Sequence, residues 1–124
     1  MKKISFIFSL FVVISSCSKS DIDNFPQKWQ LATQMAYQES YILNSDGTFI
    51  KTRELNGTIT KASGTFQFEK TNQGKLFLLD FATQDPIIES CSGTREILSV
   101  KSDKILLSTW PECDGSSLEF HRID

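Results

Sequence analysis

The 124-residue chain predicts an all-β fold, an antiparallel up-and-down β-barrel of about eight strands. Apolar and polar residues alternate with period two through most of the stretch from Trp29 to Ile123, which gives each segment one face for a core and one for water. Turn-forming clusters recur roughly every 8–12 residues. No long helix is predicted. Sequential hairpins of this kind favour a meander over a Greek key, and neither an internal repeat nor a second domain is evident.

Each element follows from local chemistry. In 28–38, Trp29, Leu31, Thr33, Met35 and Tyr37 alternate with Gln30, Ala32, Gln34 and Ala36, the pattern of a first strand. A helix there would align Trp29, Ala32 and Ala36 on one face, but the alternation fits a strand better. Residues 39–43 form a second strand, and Asn44-Ser45-Asp46-Gly47 a turn. A third strand spans 48–55. Asn56-Gly57 then marks a tight hairpin, because a type I′ turn needs positive φ at both central residues. The chain returns through 58–61 and continues with clear alternation through 64–69. Thr71-Asn72-Gln73-Gly74 turns again, and 75–81 is the most apolar strand. Residues 82–92 are an irregular link through Pro86. Apolar runs at 95–100 and 104–110 flank the turn-forming Lys101-Ser102-Asp103, and residues 111–116 are a loop. A closing strand covers 118–123.

Composition excludes several functions. A net charge of −2 and a pI near 5.4 give no basic face for phosphates, so a nucleic-acid partner is not expected. The single histidine, His121, sits in a strand, and no nucleophile is spaced to pair with it. Asp80, Asp85 and Glu89 are scattered carboxylates whose spacing does not set up an acid–base pair. Asn44-Ser45-Asp46-Gly47 lacks the recurring acidic ligands of a calcium loop, and the Asn56-Gly57-Thr58 sequon is explained by the turn. No enzyme, cofactor or metal is expected. The phenylalanines Phe25, Phe49, Phe66, Phe68, Phe77, Phe81 and Phe120 are expected to fill most of the barrel interior, with a hydrophobic pocket as the alternative, since eight strands are just wide enough either to be filled by side chains or to hold one small ligand.

The first residues read as an address. Met1-Lys2-Lys3 precedes an apolar run from Ile4 to Ile14, the charged and hydrophobic regions of a secretory signal. The run is shorter than the about 20 residues a spanning helix needs. It ends in Ile14-Ser15-Ser16-Cys17, which resembles the lipobox of bacterial lipoproteins. That resemblance implies a signal peptide over 1–16, cleavage before Cys17, and fatty acyl chains such as palmitate on Cys17 that hold the protein to a membrane. One acyl chain anchors marginally and two or more anchor stably. Ser18, in place of the aspartate that retains such proteins at the inner membrane, implies the outer membrane and leaves its leaflet open. The polar residues after Cys17 place a flexible tether over 17–26. With Cys17 acylated, Cys91 and Cys113 remain in an oxidising compartment and are expected to pair as a disulfide. A hairpin turning near residue 102 would bring them together at its open end, with a bridge worth roughly 3 kcal/mol. A metal site of Cys91, Cys113 and His121 is disfavoured, because metal-ligand spacings are missing.

The remaining chain, 27–124, is similar to the small lipocalin-like domains of lipoproteins from Bacteroidetes-type bacteria. The likeness rests on Trp29-x-Leu31, on Asn44-Ser45-Asp46-Gly47-Thr48-Phe49, on Gly64-Thr65-Phe66 and on Phe120-x-Arg122-Ile123. It implies that Trp29 and Arg122 stack as a structural pair closing one end of the barrel, a cation over an indole worth roughly 0.5–2 kcal/mol. Gln27 departs from the pattern, which has glycine there. The implied function is a membrane-anchored envelope lipoprotein that binds a small apolar ligand or acts as a non-catalytic binding module. The alternative is a protein-interaction or inhibitor lipoprotein, because Lys61-Ala62-Ser63-Gly64-Thr65-Phe66 is similar to the Ser-Gly loop of lysozyme inhibitors.

Overall fold

A computed structural model describes residues 22–89, 93–108 and 117–124. Its strands are β1 (Gln27–Leu31), β2 (Gln38–Leu43), β3 (Thr48–Leu55), β4 (Thr58–Thr71), β5 (Gly74–Phe81), β6 (Arg95–Ser102), β7 (Ile105–Ser108) and β8 (Leu118–Arg122). Each strand pairs antiparallel with its neighbours in sequence, and β1 pairs with β8 to close the barrel. The expected eight-stranded up-and-down barrel is therefore the observed architecture, and the described residues include no helix. Closure gives every strand two partners and leaves no open edge.

Alternation sets the inward faces. Gln27, Trp29 and Leu31 of β1 are buried while Lys28 and Gln30 are exposed, and the pattern repeats through Tyr41 and Leu43, Phe77 and Leu79, and Leu98 and Leu106. The Asn56-Gly57 turn has φ of 52° and 80°, as a type I′ hairpin requires. In the turn before β3, Asp46 Oδ1 accepts from the Thr48 amide at 3.0 Å and its hydroxyl at 2.6 Å.

Two strands differ from expectation. β1 stops at Leu31 instead of running to residue 38. The Ala32 amide still reaches the Glu119 carbonyl at 2.8 Å, but the Glu119 amide donates to the Thr33 hydroxyl at 2.8 Å. A side chain thus takes the place of a backbone acceptor, and the chain peels off the ladder. In contrast, 58–61 and 64–69 merge into one 14-residue strand, β4. Its first half pairs with β3 through Thr65 and its second half with β5 from Gly64 onward. Gly64 lies at the crossover between Phe49 and Phe81. A Cβ there would fall 1.9 Å from the Asp80 carbonyl oxygen. Without one, the Phe49 and Phe81 rings meet edge-on, centroids 4.8 Å apart. Ser63-Gly64 is therefore mid-strand, paired on both sides, and not the loop that its likeness to an inhibitor motif suggests.

The barrel has two unlike ends. At one end, residues 22–26 fold against the bottom of the sheet. Ile22 is buried, Phe25 packs on Phe66 and Phe77 at 5.3 and 6.3 Å between centroids, and Gln27 Nε2 donates to the Ile22 and Asn24 carbonyls. These residues belong to the barrel and not to the tether expected over 17–26. At the other end, the mouth, lie residues 32–37, the β3–β4 turn and the link 82–89. Cys17, Cys91 and Cys113 all lie outside the described residues, and the bridge expected between Cys91 and Cys113 finds no support in the structure. The hairpin assigned to carry it is present, with Leu98 opposite Ser108, and its turn falls at Asp103-Lys104.

Candidate functional site

The inward register continues to the mouth, but there its residues are charged. β2 contributes Glu39 above Tyr41, β3 contributes Lys51 and Arg53 above Phe49, and β6 contributes Glu96 above Leu98. Register sets Tyr41 opposite Lys51 and Glu39 opposite Arg53. The ammonium of Lys51 is fully enclosed. It donates to Glu96 Oε2 at 2.8 Å and to the Ile87 carbonyl at 2.7 Å, and lies 3.5 Å from Glu89 Oε1 and 3.7 Å from Glu39 Oε2. The Tyr41 hydroxyl donates to Glu96 Oε1. Because β2 and β6 stand on opposite walls, the Tyr41–Glu96 and Lys51–Glu96 bonds cross the barrel. Below them the rings of Tyr41 and Phe120 pack 5.0 Å apart. Side chains thus fill the barrel at this level, as the small interior of eight strands leads one to expect.

Arg53 completes the layer. Its Nε donates to Glu39 Oε2 and its Nη2 to Glu89 Oε2, both at 2.7 Å, and its guanidinium lies 4.2 Å from the Tyr37 ring centroid. Tyr37, which arrives on 32–37 because β1 ends early, donates to Glu89 Oε2 at 3.0 Å. Glu89 and Ile87 come from the link 82–89, and the Glu89 amide donates to Glu96 Oε2 at 2.6 Å. The link is therefore a strap drawn over the mouth and fastened to the charged layer.

Three carboxylates share two cations, Lys51 and Arg53. Burial and the neighbouring Glu89 push Glu39 up to about 7, against the pull of Lys51 and Arg53. Burial first, and then Glu96, raise the Tyr41 hydroxyl far above its ordinary range. Among the described residues, Glu39 Oε1 and Glu89 Oε1 are the buried side-chain oxygens without a hydrogen bond.

Above this layer, between the β3–β4 hairpin and the strap, is a cavity of about 390 Å³. Arg53, Leu55, Thr58 and Thr60 form one wall, and Pro86 and Ile87 the other. Its lining joins an apolar patch to hydroxyls, and its size is within the range of small-molecule sites.

The residues singled out from sequence are dispersed. Trp29 and Arg122 are register partners at the closed end, with the guanidinium 5.8 Å from the ring centroid. Gln27, the departure from glycine, accepts from Trp29 Nε1 at 2.9 Å while its amide holds 22–24, so it ties the N-terminal segment to the indole. His121 faces outward and meets Glu119 Oε2 at 2.5 Å. Asp80 pairs with Arg95 on the outer surface, and Asp85 accepts from the Ile87 amide within the strap. Of the three scattered carboxylates only Glu89 joins the charged layer. Among the described residues no group of His, Cys, Asp or Glu is arranged to hold a metal ion. Sequence reasoning missed Glu39, Lys51, Arg53 and Glu96. Their signal was parity: each lies two residues from, or shares a face with, an unmistakably inward Tyr41, Phe49 or Leu98, and the signs are complementary across strands. No family model, curated protein or solved structure matches this chain.

Proposed function

We propose that this protein is a lipid-anchored lipoprotein of the bacterial outer membrane whose barrel is a non-catalytic binding module. It takes a small amphipathic molecule in the groove at its mouth. One observation carries the choice of site: Tyr41, Lys51 and Glu96 span the barrel directly below that groove. A purely apolar ligand seated deeper would have to displace buried, paired charges, which is costly. Leu55, Pro86 and Ile87 suit an apolar body, and Thr58 and Thr60 a polar edge.

The anchor supports this arrangement. From Cys17 to the docked Ile22 the chain can extend at most about 18 Å. Acylation of Cys17 would therefore hold the closed end near the bilayer and turn the mouth away from it, toward solutes. The anchor is tested by feeding cells a clickable palmitate analogue: label in the membrane fraction that disappears in Cys17→Ala is expected, and an unlabelled wild type overturns it. The groove is tested with the amphipathic probe anilinonaphthalene sulfonate. Fluorescence enhancement should be lost in Thr60→Trp, which fills the groove, and kept in the outer-face control Thr52→Trp. Absence of binding by the wild type, or equal loss in both variants, overturns the assignment.

A further inference from the structure

The charged layer holds two oxygens in need of a donor. Glu39 Oε2 and Glu89 Oε2 lie 2.5 and 2.7 Å from the same nitrogen, Arg53 Nη2, so the two carboxyl groups are neighbours. Their other oxygens, Glu39 Oε1 and Glu89 Oε1, are buried and accept no hydrogen bond. Two of the three Lys51 N–H groups go to Ile87 and Glu96, and the ammonium comes no closer than 3.5 Å to Glu89 Oε1. Tyr37 donates to Glu89 Oε2 and Tyr41 to Glu96. With all three carboxylates ionised the layer carries one uncompensated buried negative charge, and an unpaired buried charge is among the most expensive features a fold can hold. One proton held by Glu39 or Glu89 neutralises the layer, and placed on an Oε1 it turns an oxygen that lacks a donor into a hydroxyl.

The two carboxyl groups differ in freedom. Glu39 is locked in β2 and buried. Glu89 lies on the strap, outside every strand, and keeps 15% of its side chain exposed. If the proton leaves, Glu89 is the group that can turn to water, giving up Arg53 and Tyr37. The strap is then held by the buried Ile87 side chain, the Lys51 bond to the Ile87 carbonyl and the Glu89 amide bond to Glu96, and the last of these lies on the residue that moves.

We propose that Glu39 and Glu89 share a single proton and that its release to solvent detaches the Glu89 side chain from Arg53 and Tyr37 and loosens the strap there. As regulation of the mouth groove this rests on the binding-module reading. As a property of the strap it stands alone. Burial of Glu39 sets the pH of release near neutrality.

The test is native-state hydrogen exchange on the full chain at about pH 6 and about pH 8.5, corrected for intrinsic exchange chemistry. Protection of the Glu89 amide should fall about tenfold or more in the wild type, and should hold constant in Glu39→Gln, whose carboxamide keeps a donor in place at every pH. Carbon-13 NMR of the glutamate carboxyls should show one titration over the same range, missing from that variant. Unchanged protection in the wild type, or an equal loss in Glu39→Gln, overturns the proposal. Should Glu39→Gln not fold, Glu89→Gln serves: its carboxamide donates to Glu39, and the titration of Glu39 moves down toward the ordinary carboxylate range. A titration that stays in place overturns the sharing. None of these readouts involves a ligand, so failure of probe binding and failure of the switch are separate results.

Discussion

Lys51 is charged inside a barrel whose core below it is packed with aromatic and leucine side chains, and it is tolerated because carboxylates surround it. Removing one partner of a buried pair costs more than removing both. Lys51→Met should therefore destabilise the protein by about 3–5 kcal/mol in urea unfolding, and Lys51→Met combined with Glu96→Met should recover only part of that loss, since the net charge of the layer is restored while the Tyr41 hydroxyl and the Glu89 amide lose their acceptor. Gly64 is constrained by backbone and not by charge. Its Cβ position is occupied by the Asp80 carbonyl, and strand pairing on both sides prevents relief. Gly64→Ala should cost about 3 kcal/mol or more, the upper range for overpacking, seen as a lowered unfolding midpoint or as loss of soluble protein.

Elements show how local chemistry and partner strands divide control. The β3–β4 turn is set locally: Gly57, at φ 80°, should lose about 1 kcal/mol on replacement by alanine, whereas Asn56→Gly should be nearly neutral by thermal unfolding. β1 is cut short by the side chain that follows it, because the Thr33 hydroxyl takes over the bond from the Glu119 amide of β8. The expectation of a strand through residue 38 failed there, since period-two alternation continues to Tyr37 while the ladder does not. β4 shows the converse, two short runs joined into one strand because separate halves are claimed by β3 and β5. The strap 82–89 was legible as an irregular link through Pro86. Its fastening by Glu89 was not, because the partners lie on β3, β6 and the 32–37 segment, far away in sequence.

For the whole molecule, pH dependence follows from the charged layer. Glu39 is raised from 4.5 to about 7, so the folded state binds the proton more tightly than the unfolded chain. Its contribution is fully present below about pH 4.5 and is lost as pH rises through about 7, amounting to at most about 3 kcal/mol. Exposed carboxylates act in the opposite sense: hydrogen bonds from Thr48 lower Asp46, and His121 lowers Glu119, so stability also falls in strong acid. Chemical denaturation across pH should show a maximum in the mildly acidic range, with the alkaline limb flattened in Glu39→Gln. The sequence by itself determined the barrel, its meander order and most of its turns, because period-two patterning and positive-φ residues act over a few neighbouring positions. Only the tertiary structure decided that the interior is crossed by a salt-bridge layer and that a strap is fastened to it. Those contacts join strands on opposite walls, and a barrel's closure, not its local alternation, determines which inward residues meet across it.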